Sequence, residues 1–94
     1  MYVYIMANES RSVLYTGVTS DIITRCYNHK KGIGGSFAST HRTCYLVYIE
    51  EHDLIIDAIT RAKQIKRWKR EWKINLIKTV NPEFHDLWQD IITR

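Results

Sequence analysis

Val3-Tyr4-Ile5 and Tyr15-Thr16-Gly17, with Tyr15 ten residues beyond Ile5, decide how this chain folds. Each piece is short, aromatic and branched, which suits the core of a strand. The polar loop Ala7 to Ser12 lies between them. A hairpin of this kind brings Tyr4 and Tyr15 together on neighbouring strands. The strands are predicted over Met1 to Met6 and Val13 to Val18. Thr19-Ser20-Asp21 then supplies N-cap side chains for a helix from about Ile22 to Lys31. Gly32 ends that helix, and Gly34-Gly35-Ser36 continues as a flexible loop.

Cys44 to Glu50 reads as a third strand. His52-Asp53 opens a second helical region, where Ile55, Ile59, Ala62 and Ile65 recur at helical spacing. Trp68, Trp72 and Leu76 carry the stripe onward. A run of about 26 residues from Asp53 is long for a small domain, so a break is expected near Trp68 to Arg70. Asn81-Pro82 marks a turn, and Glu83 to Ile92 a short last helix. The predicted fold is α+β: one domain over 1–94, with a small three-stranded, mainly antiparallel sheet flanked by helices in the order β-β-α-β-α-α-α.

Composition narrows the function classes. The 94 residues are 45% hydrophobic and 12% aromatic, which argues for a folded domain over a disordered one. No apolar run approaches the roughly 20 residues that cross a bilayer, and the first residues lack a secretory pattern. A cytoplasmic location without membrane attachment is therefore expected. Cys26 and Cys44 match no zinc spacing and read as reduced thiols, at least partly buried. The net charge is +4, and its distribution says more than its total. Arg61, Lys63, Lys66, Arg67, Lys69, Arg70, Lys73 and Lys78 face only Glu71 within their stretch. Trp68 and Trp72 interleave with these cations, a pattern that fits nucleic-acid binding and fits a helix–core contact equally well.

The chemistry-bearing residues cluster around the hairpin. Phosphodiester cleavage needs an oriented water, cations for the charge developing at phosphorus, and an acid for the leaving oxygen. Arg25 offers a bidentate fork to phosphate. His29, four residues on, shares its helix face and titrates near neutral pH. Tyr4 and Tyr15 can orient water or a phosphate oxygen. Gly17 removes a side chain where backbone or substrate must approach closely. Taken singly, the tyrosines also fit an ordinary cross-strand pair, Arg25 and His29 a solvated helix face, and Gly17 a bulge.

The whole arrangement resembles the GIY-YIG nuclease superfamily. Val3-Tyr4-Ile5 and Tyr15-Thr16-Gly17 stand where its two strand motifs do, and Arg25 matches its arginine. His29 matches the histidine of the small single-domain bacterial branch, which is similar to the nuclease domain of the UvrC repair protein. The run Ala58 to Trp68 and the piece Asn81-Pro82-Glu83-Phe84-His85-Asp86-Leu87 extend the likeness over nearly the whole chain. The resemblance implies a DNA endonuclease that uses a divalent metal, magnesium or manganese. It implies Tyr4, Tyr15, Arg25, His29 and Asn81 as catalytic residues. DNA contacts are expected from Gly17, Lys30, Lys31, Arg42, Lys63, Lys66, Arg67, Lys69 and Arg70. Asn81 fits a turn former before Pro82 equally well.

One position departs. The family reads Arg-Glu-Lys-Gln where this chain reads Arg61-Ala62-Lys63-Gln64, and that glutamate binds the metal. Alanine offers no oxygen. Glu50 and Glu51 lie in another region, and Asp57, five residues earlier, sits about 140° around a helix. Ala62 fits either a natural member that does not cleave or a Glu→Ala change that traps a substrate complex; the otherwise intact motif set favours the second. A chain of this kind is expected to bind DNA, single-stranded or branched in preference to plain duplex, and to cleave it poorly. A non-catalytic nucleic-acid-binding module and a basic helix meeting an acidic partner are the competing readings.

Overall fold

Strand β1 (Tyr2–Ala7) is buried on both faces, which is why its sequence is a continuous apolar run rather than an alternation. Val3, Ile5 and Ala7 enter one cluster, and Tyr4 and Met6 enter the other. In this computed structural model, which describes residues 1–32 and 42–93, β1 is the central strand. β2 (Leu14–Thr19) and β3 (Tyr45–Glu51) pair antiparallel on either side, giving the order β2-β1-β3. The expected Gly34-Gly35-Ser36 loop lies outside the described residues. A bulge between Ile5 and Met6 places Tyr48 opposite Ile5 and Leu46 opposite Met6. The extra residue, Val47, joins Tyr48 in the first cluster while Leu46 turns to the second.

Helices cover both faces. α1 (Ile22–Lys31) packs Ile22 and Cys26 against Tyr4 and Met6, and α4 (Trp88–Ile92) adds Ile91. On the other face α2 (Ile55–Arg67) contributes Ala58, Ala62 and Ile65, and α3 (Arg70–Lys78) contributes Ile77. The architecture is thus the expected α+β one, in the expected element order. α1 starts and stops as its sequence dictates. Asp21 accepts the Thr24 N–H at 3.1 Å, and Gly32 takes the left-handed conformation at φ 73°. Cys26 is buried, Cys44 half-buried, and both are free thiols. Burial pushes the Cys26 thiol up to about 12.

The long helical run breaks where expected. Trp68 and Lys69 are extended, at ψ 151° and 150°, between the end of α2 and the start of α3. Trp68 packs against the core there, with Arg61 at 5.2 Å over its ring and Trp72 edge-on at 6.2 Å. Arg61 also reaches Glu50 on β3 at 3.1 Å, which fastens α2 to the sheet. Burial alone would raise the Glu50 carboxyl, but hydrogen bonds from Tyr48, His52 and Arg61 outweigh it and hold it below its ordinary value.

The last helix is shorter than its sequence implies, beginning at Trp88 and not at Glu83. Phe84 sits at φ 54°, outside helical space, and its carbonyl accepts two guanidinium hydrogens from Arg11 at 3.1 and 3.0 Å. Asp86 accepts the Leu46 N–H at 3.1 Å, and the Leu87 N–H donates to the Leu46 carbonyl at 2.8 Å. Residues 84–87 are therefore spent on covering the outer edge of β3, which removes two unpaired backbone groups from that edge.

Candidate active site

The site is built at the opposite edge, where β2 runs between α1 and α2. Register places Gly17 beside Tyr4 and Tyr15 beside Met6, so the two phenols meet diagonally, with ring centroids 6.2 Å apart. Gly17 is required by this contact. A Cβ there would lie 2.5 Å from Tyr4 Cζ and closer still to the hydroxyl. The close approach that glycine permits is made by Tyr4 itself, which is 1% exposed. Gly17→Ala must push a buried ring aside, and overpacking of this kind costs about 1–3 kcal/mol. Thermal unfolding is expected at a melting temperature lower by at least about 4 °C; an unchanged value would mean that the ring yields freely.

A cleft of about 250 Å³ opens beside these residues. Tyr4, Tyr15, Gly17 and Val18 line it from the sheet, Arg25 from α1, and Ile59, Ala62, Lys63 and Lys66 from α2. The α2 residues recur at i, i+3, i+4 and i+7, one stripe of a helix. His29 stands behind the phenols, 5.9 Å from the Tyr4 ring and 5.4 Å from the Tyr15 ring, and is 3% exposed. Its Nδ1 lies 3.0 Å from the Thr43 carbonyl. A carbonyl can only accept, so Nδ1 carries the proton and Nε2 keeps the lone pair. Burial holds the imidazole below its usual value, against the Thr43 hydrogen bond and with the help of the Arg25 charge. Neutral His29 is thus a ready proton acceptor at neutral pH. Burial drives the Tyr4 phenol well above its ordinary range, with the neighbouring Tyr15 adding to the rise.

The other expected residues divide. Lys63 and Lys66 reach the cleft, and Arg67 and Lys69 are exposed on the same helical arm. Arg70 is exposed but donates to the Arg11 carbonyl at 2.5 Å. Lys30 is not brought to the cleft: it pairs with Asp86, donates to the Cys44 carbonyl at 3.0 Å and lies over the Tyr45 and Trp88 rings. Lys31 is exposed near the Tyr27 ring, and Arg42 lines a separate depression with Asn8, Glu9 and Ser10. Asn81 is not brought to the cleft either. It is fully buried, donates to the Val47 and His85 carbonyls at 3.0 and 2.8 Å, and accepts from the His85 N–H at 3.2 Å. Its role here is to staple the turn after α3 to β3. Asn81→Ala is expected to destabilise by about 1–3 kcal/mol through orphaned carbonyls, which denaturant unfolding measures; unchanged stability would contradict that role. Thr43 was invisible in the sequence as a site residue, because its backbone carbonyl, not its side chain, orients His29.

A divalent metal needs oxygen ligands, carboxylates first. Among the described residues, the cleft lining contains no carboxylate and three cations. Among the described residues no group of three His, Cys, Asp or Glu side chains is placed to hold an ion. With Ala62 in the stripe, the donor set present does not fit such a metal.

The fold and cleft define a small α+β domain that presents two phenols, a guanidinium and two ammoniums at one sheet edge. The GIY-YIG catalytic domain pattern matches residues 1–75, and the chain belongs to that family. It is 35% identical over 77 residues to the UPF0213 proteins of Staphylococcus aureus strains Mu3, Mu50 and COL, covering 82% of this chain and 93% of each relative. No solved structure matches. Among the described residues no helix is long and apolar enough to cross a membrane.

Proposed function

We propose that this chain binds DNA at the cleft on the β2 edge, as a cytoplasmic GIY-YIG-type endonuclease domain impaired in cleavage by Ala62. The observation that supports it is the convergence of Tyr4, Tyr15, Gly17, Arg25, Ala62, Lys63 and Lys66 on one opening. Arg25 holds a phosphate from α1 while the lysines neutralise charge from α2. Tyr4 and Tyr15 orient the attacking water, and His29 accepts its proton directly or through a phenol. A carboxylate at position 62 would give magnesium or manganese an oxygen ligand, and the ion would supply Lewis acidity for the leaving oxygen; Ala62 offers no such ligand.

Single-stranded or branched DNA is the favoured substrate. Trp72 is 52% exposed and, with Trp68, Asn75, Leu76 and Thr79, lines an apolar depression of about 330 Å³ on the basic arm. Unpaired bases stack on such surfaces while lysines track the backbone. The second reading, a binding module that never cleaves, is favoured by the same lack of a carboxylate in the cleft. Ala62→Glu separates the two.

Binding should weaken steeply with salt. Neutralising Lys63, Lys66 and Lys69 together is expected to flatten the salt slope by up to about 2, at roughly 0.7 per phosphate contact on a single strand. Fluorescence anisotropy with a labelled oligonucleotide across a salt series measures it. An unchanged slope would place the footprint off this arm.

A further inference from the structure

The charge around the cleft runs opposite to what a divalent cation needs. Arg25, Lys63 and Lys66 face it from two helices, and no carboxylate among the described residues lines it. Three acids of the surrounding elements are engaged away from it. Glu50 is held by Tyr48, His52 and Arg61, Asp86 by Lys30, and Asp21 by the first turn of α1. Ala62, 3% exposed, is the short residue in the α2 stripe and leaves the space between the lysines and the phenols open.

We infer that this cleft is a metal-free phosphate receptor: Arg25, Lys63 and Lys66 hold the phosphate directly, and a divalent cation is excluded from the cleft rather than recruited. The inference rests on reading the cleft as the place where a DNA backbone lies, and it specifies the form of the ligand. Arg25 supplies a planar fork for two phosphate oxygens, and each lysine supplies a point charge. Because the cations come from α1 and α2, the anion bridges the helices on opposite faces of the sheet across the β2 edge. A carboxylate introduced between them reverses the preference, repelling bare phosphate and accepting it again only with an ion in between.

The test titrates inorganic phosphate into the full chain at fixed ionic strength, in EDTA and again with excess magnesium, and follows backbone amide shifts. In EDTA the shifts should concentrate at Gly17, Arg25, Ala62, Lys63 and Lys66, and magnesium should leave the affinity unchanged or lower it. Ala62→Glu should weaken binding in EDTA by at least about tenfold and regain it with magnesium. Lys63→Gln with Lys66→Gln, both exposed positions, should lose at least about tenfold without disturbing the fold. Phosphate binding that requires magnesium in the chain as it stands would overturn the inference. A short oligonucleotide is titrated in parallel. Phosphate shifts at the cleft without oligonucleotide binding uphold the receptor and fail the DNA reading. Oligonucleotide binding along α3 with the cleft unmoved by phosphate overturns the receptor and leaves DNA binding standing.

Discussion

Ala62→Glu is expected to turn a chain that binds DNA with little cleavage into one that cuts it when magnesium or manganese is present, a gain of at least about a hundredfold. A Lewis acid at the leaving oxygen is worth several kcal/mol of transition-state stabilisation, and each 1.36 kcal/mol is about tenfold in rate. The geometry gives the new side chain room. Position 62 opens onto a cleft of about 250 Å³, within the stripe that carries Lys63 and Lys66. Those two cations favour the ionised carboxylate that an ion requires. Cleavage of a labelled single strand, with and without EDTA, reads the effect. Robust metal-dependent cutting by the unsubstituted chain, free of contaminating nuclease, would sink the claim, and so would an Ala62→Glu variant that folds, binds and never cuts.

In that restored background His29→Ala and Tyr4→Phe should each lose at least about a hundredfold in rate, the range of a general base. A phenol titrates near pH 10, and burial drives Tyr4 higher, so Tyr4 cannot itself be the resting base. It can pass a proton on. His29, packed against both phenol rings, keeps Nε2 free of a proton because Nδ1–H is given to the Thr43 carbonyl. The rate should therefore require neutral His29. Since burial lowers its pKa, the acid limb of the pH–rate profile should fall below the ordinary 6.5 rather than above it. Oligonucleotide affinity should stay within a few-fold, and the two losses should not add in the double variant, the mark of one shared step. Normal cleavage by both single variants, or a defect wholly in binding, would contradict this.

How much of this was legible in the sequence depends on how far each interaction reaches along the chain. The hairpin, α1 with its Asp21 and Gly32 caps, and the break at Trp68 and Lys69 follow from local pattern and turn chemistry. So does the placing of Ile59, Ala62 and Ile65 on one helical stripe; that Lys63 and Lys66 reach the cleft beside it does not. The late start of α4 did not, because its cause is Arg11, which captures the Phe84 carbonyl from 73 residues away. The surroundings of Lys30 and Asn81 were hidden for the same reason. Lys30 is neutralised by Asp86, 56 residues on, and Asn81 is consumed by Val47, 34 residues back. A charged or amide side chain displays its chemistry in the sequence but not its partner. The glycine was legible as a place of close approach, whereas the approaching group, the Tyr4 ring, emerged only from strand register.

The central claim is that the cleft on the β2 edge is where a nucleic-acid phosphate rests. A structure of this chain with a short single-stranded oligonucleotide tests it most directly. A backbone phosphate is expected within hydrogen-bond distance of the Arg25 guanidinium, flanked by Lys63 and Lys66 and facing the Tyr4 and Tyr15 hydroxyls. A strand bound only along α3, with that cleft empty of phosphate, would contradict it.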